Sequence, residues 1–157
     1  MLSKDIFLLA DQDINKKGNR AVDLREAMGE NFCLLEWKEI ENYIPQSVII
    51  KTADERWSTF NGANGSRFDP SSISDKAFEL KTVGIGKKLE KCVTRSNSVK
   101  PDRKFFEDKS GTIKDKVKFC ETACKFMTSE DMEWNLTPEL EKLCDQIWTF
   151  VEKNNKI

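Results

Sequence analysis

Apolar residues fall first into short unbroken runs and later into helical stripes. Ile6, Phe7, Leu8, Leu9 and Ala10 form a continuous run that ends at Asp11. Such a run predicts a strand covered on both faces, as in a parallel sheet. Asn15 to Gly18 reads as a turn. Ala21, Leu24 and Met28 then recur at spacings of three and four, which predicts a helix over 20–28 that Gly29 ends. A second apolar run follows over 32–35. Strand, helix and strand with both strands apolar throughout fit a right-handed βαβ unit.

Beyond this unit the pattern changes. Pro45 suits the first turn of a helix with Val48, Ile49, Ala53 and Trp57 on its apolar face. Residues 59–74 are rich in Asn, Gly, Ser, Asp and Pro and read as a loop. A short helix is expected around 87–93, and 94–111 reads as a polar, basic excursion. Residues 113–127 predict a helix with Val117, Cys120, Cys124 and Met127 along its buried side. Thr137 and Pro138 supply an N-cap and a first-turn proline for a last helix. Its buried face would be Leu140, Leu143, Ile147, Phe150 and Val151. The pattern predicts an α/β chain: a parallel βαβ part in 1–57, a basic loop-rich excursion in 58–112, and a helical C-terminal part in 113–157.

Composition narrows the chemistry. The 157 residues suffice for one domain, and 34% charged against 38% apolar residues predicts a small core. No apolar run approaches the roughly 20 residues that span a bilayer. Residues 1–5 lack a basic region followed by an apolar stretch, so no signal peptide is expected and the expected location is the cytoplasm. Five scattered cysteines then predict reduced thiols, with Cys120 and Cys124 as small core residues. The chain has no histidine, which removes serine–histidine and cysteine–histidine catalysis and leaves carboxylates, lysines or a metal. Charge is uneven: residues 81–125 hold 13 basic and 6 acidic groups, while 1–80 hold 10 and 14. A basic centre between acidic flanks suits phosphate contact, or is an ordinary solvated loop.

In open parallel sheets ligands gather beyond the carboxyl ends of the strands. Asp11 and Asp13 stand at that edge of the first strand, and Glu41 a few residues past the second. Hard oxygen donors favour Mg²⁺ or Mn²⁺ over zinc. Glu41 also reads as a solvent-facing acid at a helix start, favoured there by the helix dipole.

The segment "LLADQD", a helix, then "LLEWKEIENYIP" resembles the Toprim catalytic domain of OLD-family, ATPase-linked nucleases. "SGTIKDKVKFCETACKFM" and "LTPELEKLCDQIWTFVEKNN" are similar to that family's C-terminal part, so the likeness covers almost the whole chain, loosely over 58–110. The resemblance implies a partial Toprim-like sheet and metal-dependent DNA endonuclease activity. It implies Asp11 and Asp13 as metal ligands, with Glu41 as a further ligand or a group that supports the ligands, counted with Lys116 among the catalytic residues. It assigns to Lys116 the stabilisation of phosphate charge, with Lys114 as the alternative to it; a plain surface lysine is the other reading of Lys116. The implied partners are DNA and an AAA/ABC-type ATPase region in cis or trans, with a homo-oligomer formed through a further region. The family's glutamate-bearing strand has no counterpart here, and "VGIGKKLEKC" lacks phosphate-loop spacing. The expectation is therefore an N-terminally incomplete nuclease domain, or else an inactive interaction module needing a partner's strands. A receiver-type phosphotransfer domain is disfavoured because repeated βα units are lacking.

Overall fold

The computed structural model describes residues 5–60 and 64–155. The residues 1–4 used in the signal-peptide reading and 61–63 of the predicted loop lie outside the described residues. In chain order the elements are β1 (Leu8–Ala10), α1 (Arg20–Met28), β2 (Phe32–Leu34), α2 (Gln46–Ser58), β3 (Arg67–Phe68), α3 (Ile85–Glu90), β4 (Val93–Thr94), α4 (Lys116–Met127) and α5 (Pro138–Asn155). The chain is mixed α/β.

β1 and β2 pair in parallel, with Leu8, Leu9 and Ala10 opposite Phe32, Cys33 and Leu34. α1 connects them, as the apolar runs predicted. Gly29 ends α1 with a φ of +57°, a conformation that glycine adopts without strain. The sheet has two strands among the described residues, so its parallel pairing stops short of a full doubly wound layer. β3 and β4 form a separate antiparallel pair.

The main core gathers Ile49 and Ala53 of α2, Ile85 and Leu89 of α3, Phe119 of α4, and Phe78, Val93, Val99, Phe105, Phe106 and Ile113. Most of these come from 58–112, which was expected to loop away from the domain. The loop-rich reading did not show this, because apart from Ile85 and Leu89 of α3, near the helix expected around 87–93, the segment's apolar residues carry no strand or helix period. They are held instead by aromatic packing: the Trp57 ring lies 5.0 Å from Phe105, 5.7 Å from Phe60 and 5.9 Å from Phe68. Their irregular backbone is satisfied by a side chain. Glu90 Oε2 accepts from the N–H groups of Phe105 (2.9 Å), Phe106 (2.7 Å) and Glu107 (3.3 Å), and Oε1 pairs with Arg95.

α4 departs from expectation in its orientation. Phe119 and Ala123 are its buried residues, while Val117 is 73% exposed and Cys124 is exposed. The stripe of Val117, Cys120 and Cys124 was assigned to the core because its members are apolar or small. The bulk of Phe119, one position along, takes the core side and turns that stripe outward. All five cysteines are free thiols.

α5 starts as predicted, with Leu140 N–H donating to Thr137 Oγ1 at 3.2 Å. Its Leu143 joins Leu35, Trp37 and Tyr43 in a second cluster with Cys33, Leu140 and Ile147 around it. No helix among the described residues is long and apolar enough to cross a membrane.

Within that second cluster Tyr43 Oη accepts the Glu36 N–H at 2.7 Å and lies 3.4 Å from the Trp37 nitrogen. Tyr43→Phe removes the acceptor but keeps the ring. A loss of about 1–2 kcal/mol in urea unfolding is expected. A change within error would show that water replaces the hydroxyl at no cost.

Candidate functional site

The chain turns sharply at the carboxyl end of β1. Asp11 caps a short 3-10 turn over Gln12–Lys16, its Oδ1 accepting the Asp13 N–H at 3.2 Å. The same turn is tied to the chain leaving β2: Gln12 N–H donates to Lys38 O at 3.1 Å, and the Gln12 side-chain amide reaches Leu35 O and Glu36 O. Both strand ends therefore present their following residues at one edge. Asp11 is exposed and Asp13 partly so. The Lys16 ammonium bonded to Asp13 holds that carboxyl below the usual range, with further help from Lys38 and Lys17 against a desolvation penalty.

Past β2, the residues Trp37 to Tyr43 are buried except Ile40, and four of them are charged or strongly polar. Asn42 is structural: its side-chain amide donates to Phe78 O (2.8 Å) and Val83 O (3.2 Å), pinning the 78–83 segment. Glu41 is 3% exposed, and its Oε2 faces Lys116 Nζ at 2.9 Å. Residues 41 and 116, named separately by the sequence reading, meet in space. Burial pulls the Lys116 ammonium down, but the Glu41 carboxylate outweighs that and leaves it raised. Lys114 turns away, its Nζ 3.4 Å from Lys104 O, so Lys116 is the lysine of this site. Cys120 donates toward Glu41 Oε1 at 3.9 Å; burial first, then the Glu41 charge, push its thiol up to about 11.

Lys38 and Glu39 were missed by the sequence reading. Both side chains are nearly out of water, with Lys38 Nζ 3.5 Å from Glu39 Oε1 and 3.3 Å from Ser110 O. Glu39 Oε2 is buried without a hydrogen-bond partner. Burial raises the Glu39 carboxyl, opposed by Lys38 and Lys116 and reinforced by Glu41. A usable signal was present: Lys38, Glu39 and Glu41 stand between Trp37 and Tyr43, two aromatics that fix the turn in the core. The glycines of "VGIGKK" have their explanation here too. A Cβ on Gly86 would lie 2.2 Å from Thr112 O, and one on Gly84 would lie 2.7 Å from Gly111 O and 2.9 Å from Glu39 Oε2. They let the 111–113 backbone pass against α3 and close the floor under Glu39.

The arrangement brings Asp11 to Asp13, and Glu41 to Lys116. It does not set Glu41 beside the aspartates: among the described residues no group of three or more Cys, Asp or Glu side chains is placed to hold a metal ion. In this arrangement Glu41 is the counter-ion of Lys116. The aspartate pair still suits Mg²⁺ or Mn²⁺, since such ions are commonly held by one or two carboxylates with water and substrate oxygens completing the shell. Asp11 is exposed, and Asp13, partly exposed, is paired with Lys16, which an incoming ion would have to displace.

Compared with family models, with curated proteins and with solved structures, the chain matches none of them.

Proposed function

We propose that the chain is a Toprim-type nuclease region of the OLD family that hydrolyses DNA phosphodiester bonds with Mg²⁺ or Mn²⁺, working with an ATPase region in cis or trans. The observation that supports this reading most is the seating of Lys116 on Glu41 across 2.9 Å, Glu41 lying on the chain that leaves β2 and that is bonded through Lys38 O to the Asp11–Asp13 turn. A bound divalent ion supplies water activation and neutralises charge on the phosphate. Asp11 and Asp13 hold it. Lys116, with its side chain 44% exposed and its ammonium stabilised by Glu41, presents a positive charge to the phosphate while remaining protonated. Glu41 positions that lysine. The basic stretch 81–125 supplies contacts to neighbouring phosphates.

The expected result is Mn²⁺ binding by calorimetry that disappears in the Asp11→Ala/Asp13→Ala double variant, and Mn²⁺-dependent nicking of plasmid DNA that stops on chelation. Equal Mn²⁺ binding by the double variant overturns the metal assignment. A second reading, a non-catalytic interaction module, is favoured by the apolar surface at Val117, Leu9 and Ile6. Mn²⁺ binding without nicking selects it.

A further inference from the structure

Lys116 opens α4, and the residue before it has a strained backbone. Asp115 takes φ +50° and ψ +51°, the left-handed region that crowds any residue carrying a Cβ. An aspartate at a helix start ordinarily stands extended and caps the helix, its carboxylate accepting an N–H of the first turn. Asp115 makes no such bond. Its Oδ2 accepts instead from Arg56 Nη2 at 2.8 Å, and Arg56 Nη1 donates to Lys114 O at 2.6 Å. The Arg56 side chain is 11% exposed, and its guanidinium lies 5.5 Å from the centre of the Phe60 ring. One planar group on α2 thus holds two successive residues at the entry to α4.

That entry sets where the first turn of α4 points. Side chains at i and i+4 share a helix face. Lys116 and Cys120 both meet Glu41, with Lys116 Nζ 2.9 Å from Oε2 and Cys120 Sγ 3.9 Å from Oε1. The same sequence has a competing local preference, with Asp115 extended and its carboxylate folded onto the helix end. That entry would bring the chain to Lys116 from another direction and lift the lysine off Glu41. Resting on the nuclease reading above, we infer that Arg56 is a positioning residue for Lys116. It draws the Asp115 carboxylate away from the helix end and holds the left-handed turn that seats the lysine on Glu41. Arg56 acts through Asp115 and not on the phosphate.

Arg56→Met frees the carboxylate to cap α4. In the full chain, nuclear Overhauser contacts between Lys116 Hε and Glu41 Hγ protons are expected for the wild type and lost in this variant. The kcat of Mn²⁺-dependent plasmid nicking should fall about 10–10²-fold with KM unchanged, the scale of a group displaced by about an ångström. Glycine at 115 cannot cap and takes a positive φ without strain. Arg56→Met/Asp115→Gly should therefore recover both the contacts and kcat. Lost packing alone predicts no recovery, since glycine adds no contact. Arg56→Lys keeps the charge but cannot span both oxygens, so it should fall between; it carries the same readouts if the methionine variant does not fold. Contacts and kcat kept in both Arg56 variants overturn the inference, as does a loss that glycine fails to restore. A wild-type chain that shows the contacts but nicks no DNA overturns the nuclease reading instead, and the seating is still decided by the contacts.

Discussion

Glu90→Ala is expected to lower the free energy of unfolding by about 3–5 kcal/mol, as removal of one partner from a buried charged network does. Glu90 lies at the end of α3 and is 5% exposed. Its Oε2 accepts three consecutive backbone N–H groups, and those of Phe105 and Phe106 are buried. Among the described residues that stretch pairs only through the isolated Glu107–Ile113 bridge, so alanine leaves the Phe105 and Phe106 donors unanswered inside the core and strips Arg95 of its carboxylate. An unmade buried donor costs about 1–3 kcal/mol. Set against a typical domain stability of about 5–15 kcal/mol, the variant sits close to its threshold. Glu90→Gln keeps one acceptor oxygen but loses the charge, so it should fall between alanine and wild type. Urea unfolding followed by tryptophan fluorescence reads this directly, because Trp57 packs on Phe105. A loss below about 1 kcal/mol for the alanine variant would mean the 105–107 backbone finds other acceptors, and would remove Glu90 as the pin of the core.

That pin explains why half the fold was legible and half was not. The βαβ unit shows itself through local signals: unbroken apolar runs at 6–10 and 32–35, a three-and-four spacing between them, and Gly29 as a stop. Each depends on neighbours in sequence. Outside α3 the 58–112 segment has no such period. Its order comes from Trp57, Phe60, Phe68, Phe105 and Phe106 meeting from distant positions, and from one acid satisfying a stretch of backbone 15 residues away. Polar composition made that segment look solvated, although its few aromatics carry a large share of the buried apolar area. The error on α4 has the same root. Val117, Cys120 and Cys124 make a valid stripe, but a single phenylalanine on another face outweighs it.

The site was legible to the extent that it depended on strand ends. Asp11 and Asp13 follow β1, and the exit from β2 carries Glu41, so both were found. The family likeness named Lys116 for phosphate charge but gave Glu41 no partner; that the two form an ion pair is a contact between distant positions that the sequence did not announce. Lys38 and Glu39 were passed over because charged residues are mostly exposed and a Lys-Glu pair beside a strand reads as surface. Burial of both follows from Trp37 and Tyr43 on either side, the one local cue, and from the glycines at 84 and 86, a tertiary condition that no local pattern announces.

Lys116→Met should reduce phosphodiester cleavage by about 10²–10³, the scale for losing one preorganised positive group at a developing charge, with little change in DNA affinity. A structural role would also depress activity, so stability must be read beside it. Methionine leaves Glu41 buried without its cation. The expected cost is about 2 kcal/mol, below the 3–5 kcal/mol of fully enclosed pairs because Lys116 is half in water. Lys116→Met/Glu41→Gln removes both charges and should recover most of that stability, since a neutral buried pair needs no compensation. It should not recover cleavage. The two readouts therefore separate: stability follows the balance of charge at Glu41, and rate follows the presence of the lysine. The raised ammonium gives the pH dependence its sign. The ion pair's contribution is complete below the ordinary lysine value of 10.5 and is lost as pH rises through the higher folded value, so it is intact at neutral pH. Recovery of cleavage in the double variant would show that Lys116 acts only by neutralising Glu41.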